Sequence, residues 1–129
     1  MTIKIDTKGL DGLLDKVNRL SPEIDEAVLT AMADQGGDWW SDVKDNTPRD
    51  TGDLQKSWTL TGPDKKGTKF EMDLNNNLEY ALYVELGHRT RGGKSSVKGR
   101  YMLRDGTRRL EDSLKPAVQK EVRKAIESL

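Results

Sequence analysis

Leu10, Leu13, Leu14, Val17 and Leu20 recur at steps of three, one, three and three, the spacing of one helical face, and predict a first helix from about Thr7 to Leu20. Ser21-Pro22-Glu23 reads as a fresh start. Ser21 can cap, Pro22 has the preset φ of a first helical position, and Glu23 faces the positive end of the dipole. In the second helix Ile24, Val28, Ala31, Met32, Gln35, Trp39 and Val43 share one face, while Asp25, Asp34, Asp38 and Asp42 lie elsewhere. Gly36-Gly37 predicts a bend or a close crossing of another backbone.

From Asn46 the pattern changes. Thr47-Pro48 and Thr51-Gly52 puncture it, and a period-two run predicts a strand over 57–62. Gly62-Pro63-Asp64-Lys65-Lys66-Gly67 has turn chemistry, and the next alternation turns Phe70, Met72 and Leu74 inward, giving a β-hairpin. After the Asn75-Asn76-Asn77 turn, Tyr80 to Leu86 predicts a short helix closed by Gly87. Residues 87–99 hold four glycines and almost nothing apolar, which predicts a long mobile loop. A final helix follows Tyr101, with Leu103, Thr107, Leu110, Leu114, Ala117, Val118, Ala125 and Leu129 along one face. Pro116 predicts a kink or two segments there. The expected architecture is α+β: N-terminal helices (1–45), a β-hairpin core (46–86), a basic loop (87–100) and a C-terminal helix (101–129), in one domain spanning 1–129.

Composition narrows the chemistry. The 129 residues are 33% hydrophobic and 34% charged, so a lone monomer owns a thin core and part of its stability is expected from neighbours. No apolar run is long enough for a membrane span and the N-terminus lacks a signal-peptide core, so the reading is a soluble, unexported chain without a membrane partner. With no Cys and one His, disulfides, thiolate nucleophiles and multi-His zinc sites are excluded. The net charge of zero hides a segregated distribution: residues 1–86 sum to −7, 87–109 to +7, and 110–129 balance. That asymmetry fits self-association of unlike faces, or one face toward nucleic acid and another toward protein.

No catalytic, cofactor or metal set emerges. His88 stands without a nucleophile pattern and reads as a structural loop residue or a contact. Asp34, Asp38, Asp42 and Asp45 follow helical spacing and read as a solvated or subunit-facing surface. Trp39 falls on the apolar stripe and is assigned to the core; Trp40, about 100° round, is the interface candidate. Arg89, Arg91, Lys94 and Lys98 suit either phosphate or an acidic neighbouring subunit.

Two blocks together carry a resemblance. Asn46-Thr-Pro-Arg-Asp-Thr-Gly-Asp-Leu-Gln-Lys-Ser-Trp58 resembles a "TPxDTGxLxxSW" element, and Tyr80-Ala-Leu-Tyr-Val-Glu-Leu-Gly-His-Arg-Thr90 with Val97-Lys-Gly-Arg-Tyr-Met-Leu103 resembles a "YAxYVExGHRT…VxGRxML" element. Both belong to the neck, or tail-completion, family of long-tailed bacteriophages, also described as minor tail or head–tail joining proteins. The chain carries Ser96 and Lys98 where members commonly show an aromatic residue and a proline. The resemblance maps structural roles onto Thr47, Pro48, Thr51, Gly52, Leu54, Ser57, Trp58, Tyr80, Ala81, Val84, Glu85, Gly87, Gly99 and Arg100. Pro48 and Gly52 would fix the turn into the first strand, with the Thr47 and Thr51 hydroxyls satisfying loosened backbone. Glu85 would pair with Arg89 or Arg100 and pin the loop's base.

The function implied is a non-catalytic ring component at the head–tail junction of the virion, made in the host cytoplasm. Its partners would be copies of itself, the head-completion or connector proteins and the tail terminator or tube, with non-specific contact to passing DNA. The alternative from the residues alone is a nucleic-acid-binding regulator using the basic 87–109 segment.

Overall fold

The computed structural model describes residues 1–6, 22–49, 52–90 and 92–128. The helix expected over Thr7–Leu20 and the Ser21 cap lie outside the described residues, as do Thr51, Arg91 and Leu129. The α+β class is the observed one. Strand β1 (Thr2–Asp6) precedes helix α1 (Pro22–Asp45), the short helix α2 (Asp53–Lys56), and strands β2 (Trp58–Lys66) and β3 (Lys69–Asn76). Helix α3 (Ala81–Leu86), strands β4 (Gly87–Arg89) and β5 (Ser96–Lys98), and helix α4 (Met102–Glu127) complete the order.

The three-stranded antiparallel sheet runs β1-β3-β2. Its central strand alternates strictly, burying Phe70, Met72, Leu74 and Asn76, and α1 lies across that face. Strand β1 was missed by the sequence reading, although Ile3 and Ile5 alternate; Ile5 is buried opposite Met72. The expected turn at 62–67 is a correction as well. Gly62 and Pro63 form a bulge within β2, with the register shifting between Thr61 and Asp64, and the chain reverses at Gly67-Thr68. An edge strand tolerates a proline there because its outer side bonds no neighbour.

α1 begins at Pro22 as expected and buries Ile24, Ala27, Val28, Ala31, Met32, Gly36, Trp39 and Val43. Its glycine pair splits in role. A Cβ on Gly36 would meet Met72 Sδ at 2.9 Å, a side chain and not the backbone that was expected, whereas one on Gly37 would meet nothing within 4 Å. The tighter contact is elsewhere, and it too is with a side chain: α1 packs along α4, and a Cβ on Gly106 would lie 2.6 Å from Val43 Cγ2. Trp39 Nε1–H donates to Thr107 Oγ1 at 3.2 Å across the same contact.

Opposite signs are therefore expected for one chemical change. Gly37→Ala should raise stability by about 0.5–1 kcal/mol through helix propensity. Gly106→Ala should lower it by about 1–3 kcal/mol because the added methyl overpacks the crossing. Denaturant midpoints of the two variants check both.

α4 is one continuous helix through Pro116, not two segments. Pro116 and Asp112 are both exposed, so the carbonyl that loses its intrahelical donor faces water. The helix buries Met102, Leu103, Gly106, Thr107, Leu110, Leu114, Val118 and Val122. Among the described residues, no helix is long and apolar enough to cross a membrane.

Candidate assembly surface

The turn between α1 and β2 is built on Thr47. Its hydroxyl, buried, donates to the Val43 carbonyl at 2.6 Å and accepts Trp58 Nε1–H at 2.9 Å. Trp40 Nε1–H donates in turn to the Trp58 carbonyl at 3.0 Å, and Lys44 Nζ sits 4.9 Å from the Trp40 ring centroid. Trp40, read from the sequence as the interface candidate, is half-buried with its indole N–H bonded within the chain. Gly52, at φ 79°, starts α2, where Leu54 is buried and Ser57 Oγ donates to the Asp53 carbonyl at 2.8 Å. Asn76 Nδ2–H reaches the Leu54 carbonyl at 2.8 Å, tying α2 to β3. The sequence reading missed α2 because a single helical turn leaves no periodicity to count.

The second junction centres on Glu85. α3 turns Ala81 and Glu85 inward. Glu85 Oε1 and Oε2 accept the backbone N–H groups of Leu103 and Arg104, both at 2.9 Å, so the carboxylate caps the start of α4. This replaces the ion pair with Arg89 or Arg100 that the sequence suggested. Two orphan N–H groups at a helix start claim the carboxylate, and both guanidiniums stay exposed. The Glu85 carbonyl also accepts Tyr101 N–H at 3.1 Å, and the Val84 carbonyl accepts Arg100 N–H at 2.9 Å. Tyr101 is held there in the left-handed region (φ 48°, ψ 36°), with Arg104 Cζ 3.6 Å from its ring centroid.

Residues 87–99 are not a structureless loop. β4 and β5 pair antiparallel, Gly87 opposite Lys98, His88 opposite Val97 and Arg89 opposite Ser96, with Thr90 N–H donating to the Ser95 carbonyl at 2.9 Å near the tip. Composition hid this hairpin because its ladder needs backbone groups alone and its side chains all face solvent or a neighbour. The glycines are what it requires at the base. Gly87 has φ 82°, a Cβ on it would lie 2.5 Å from the Val97 carbonyl oxygen, and one on Gly99 would lie 2.6 Å from the Glu85 oxygen.

Large apolar side chains stand exposed beside this base. α3 leaves Leu82, Tyr83 and Leu86 52–60% exposed, with Tyr80 at 42% and Val97 of the hairpin at 48%. His88, Arg89, Lys94, Lys98 and Arg100 are exposed around them. A groove of about 550 Å³ between Pro48, Tyr83, Val84, His88, Lys98 and Arg100 joins the hairpin to the end of α1. The His88 and Tyr83 rings meet edge to face at 5.9 Å. The apolar half was legible but unread: Ala81, Val84 and Glu85 fall on one side of an α3 wheel, and Leu82, Tyr83 and Leu86 on the other. Elsewhere Arg109 Nε and Nη2 bond Asp42 Oδ2 and Oδ1 at 2.7 and 3.0 Å, which raises the arginine pKa above its ordinary value. Asp34, Asp38 and Asp45 remain exposed.

Residues 11–87 match the family model described as "Bacteriophage HK97-gp10, putative tail-component". The chain belongs to this family. The resemblance drawn from the sequence holds at that level, and the chain is a structural bacteriophage protein of the HK97-gp10-like tail-component group. The matched segment contains the Thr47–Trp58 corner and α3 and stops at Gly87; the rest of the hairpin and α4 lie outside it. No match was found among curated proteins or among solved structures.

Proposed function

We propose that this HK97-gp10-like chain is a non-catalytic ring component of the head–tail junction, joining the head connector to the tail. The observation that carries the reading is the outer surface of α3 and the hairpin. Tyr80, Leu82, Tyr83 and Leu86 are exposed on and beside α3, and Tyr83 shares one groove with Val97, His88, Lys98 and Arg100, on a base braced by Glu85 and the Gly87/Gly99 contact. Exposed apolar area of this kind marks a surface that is covered in use. The braced base means that the surface is pre-organised, so docking loses little to ordering. Family membership supplies the setting, a phage particle, and the absence of any nucleophile or metal-ligand pattern in the sequence favours assembly over turnover.

The apolar share of the surface also favours protein over nucleic acid as what it meets, since phosphate contact needs only the cations. Removal of the gene from the phage should leave DNA-filled heads and complete tails that are not joined, and supplying the chain in trans should restore joined particles. Normal joining without the chain would overturn the reading.

A further inference from the structure

We infer that the α3–hairpin surface of one copy takes the acidic outer face of α1 in the next copy, head to tail. The inference rests on the ring reading above and names the two faces that build it.

α1 carries seven acids and one base, Lys44, and residues 87–109 carry eight bases and one acid. Internal pairing consumes little of this. Asp25 pairs with Lys65 at 2.6 Å, Asp42 with Arg109 at 2.7 Å, and Arg104 with Asp105 at 3.1 Å. Glu26, Asp34, Asp38 and Asp45 are exposed and enter no ion pair among the described residues, and the same holds for Arg89, Lys94, Lys98 and Arg100. At about 100° per residue, those four acids fall within one third of the α1 circumference, on an arc they share with Lys44, whose Nζ lies over the Trp40 ring, so they form a face and not a scatter.

The two faces also differ in shape. The α3–hairpin surface is bulky, with Leu82, Tyr83 and Leu86 projecting. The acidic face of α1 is flat between its charges: it presents Ala33, Gly37 and Ser41, and Gly37 has open space where a side chain would be. Large apolar groups on a flat strip flanked by acids give apolar burial at the centre and cation–carboxylate contacts at the rim.

Position supplies the direction. Pro48, three residues past the end of α1, lines the groove with the hairpin, so the basic surface sits at the C-terminal end of α1. Asp34 and Glu26 lie roughly 15–30 Å back along the helix at about 1.5 Å per residue. Two complementary patches at different places on one molecule make a heterologous contact, the type that closes into rings. An isologous dimer would set the +7 segment against itself.

The test uses the absence of cysteine from the chain. Asp38→Cys and Val97→Cys are placed singly and together, at exposed positions that leave the core untouched, and equal unfolding midpoints verify this. The purified chain and joined particles are treated with a short bis-maleimide. The double variant should give a ladder of covalent oligomers and each single variant monomer only. Arg89→Glu with Arg100→Glu should lower ladder yield about tenfold or more, and adding Asp34→Lys with Asp45→Lys to the same chain should restore it.

Dimers from either single variant, or joined particles that contain the chain and give no ladder, would overturn the pairing of faces while leaving the junction role standing. A ladder that vanishes on nuclease treatment would put DNA between the copies and overturn it too. Joined particles that lack the chain would instead overturn the junction role itself.

Discussion

Alanine in place of Trp58 is expected to cost about 3–5 kcal/mol of folding stability, the range for truncating a large core aromatic. Trp58 is 1% exposed, and its ring NH ends on the Thr47 hydroxyl, which itself holds the last turn of α1 through the Val43 carbonyl. The truncation opens a cavity beneath the α1–β2 corner and removes the donor that fixes Thr47. Trp58→Phe restores most of the apolar contact without the NH and should cost about 1–2 kcal/mol. Trp39→Ala should match Trp58→Ala, since Trp39 is 2% exposed and bonded to Thr107. Trp40→Ala should cost less than either because its ring is only half-buried. Chemical unfolding of the four variants gives the order, and an undiminished midpoint for Trp58→Ala would refute the assignment of this corner to the core.

Glu85→Ala should cost about 2–4 kcal/mol, from the loss of a charged acceptor and the stranding of two N–H groups at the start of α4. Both acceptor bonds measure 2.9 Å and the side chain is 5% exposed, so water has poor access to replace the carboxylate. Glu85→Gln keeps the volume but offers one oxygen to two donors, and should fall between the wild type and alanine. The effect should also be local. Because Arg100 and Tyr101 N–H bond the carbonyls of Val84 and Glu85, loosening this junction should speed amide exchange at residues 100–104 before it affects β3. Unchanged exchange at 100–104 in Glu85→Ala would show that the carboxylate does not brace the surface.

The parts of the fold legible in the sequence were those with a repeat to count. α1 from Pro22, the inward Phe70, Met72 and Leu74, and the face of α4 all follow from periods of 3.6 and 2. Two of the misses share a physical cause, backbone bonding that side-chain chemistry does not advertise. The 87–99 hairpin consists of ladder bonds between exposed residues, and α2 is a single turn. Pro116 misled in the other direction: its cost falls on a carbonyl that water can reach. In the candidate surface, Arg89, Lys94, Lys98 and Arg100 are exposed. The partners of Glu85 were not legible, because a buried carboxylate at a helix start resembles any acid beside arginines until its partners are placed. The exposed side of α3, with Leu82, Tyr83 and Leu86, was not separated from its buried side because the apolar run was read without its wheel.

On the proposed function, heads and tails join only when the α3–hairpin surface is intact. Leu82→Asp with Leu86→Asp alters that surface alone, both residues being more than half exposed, and the unfolding midpoint should be unchanged. The decisive measurement is an electron-microscope count of joined particles when this variant is the sole source of the chain in an infected host. The account predicts full heads and finished tails lying separate, with joined particles at the level seen without the gene. Joined, infectious particles at the wild-type frequency would contradict it.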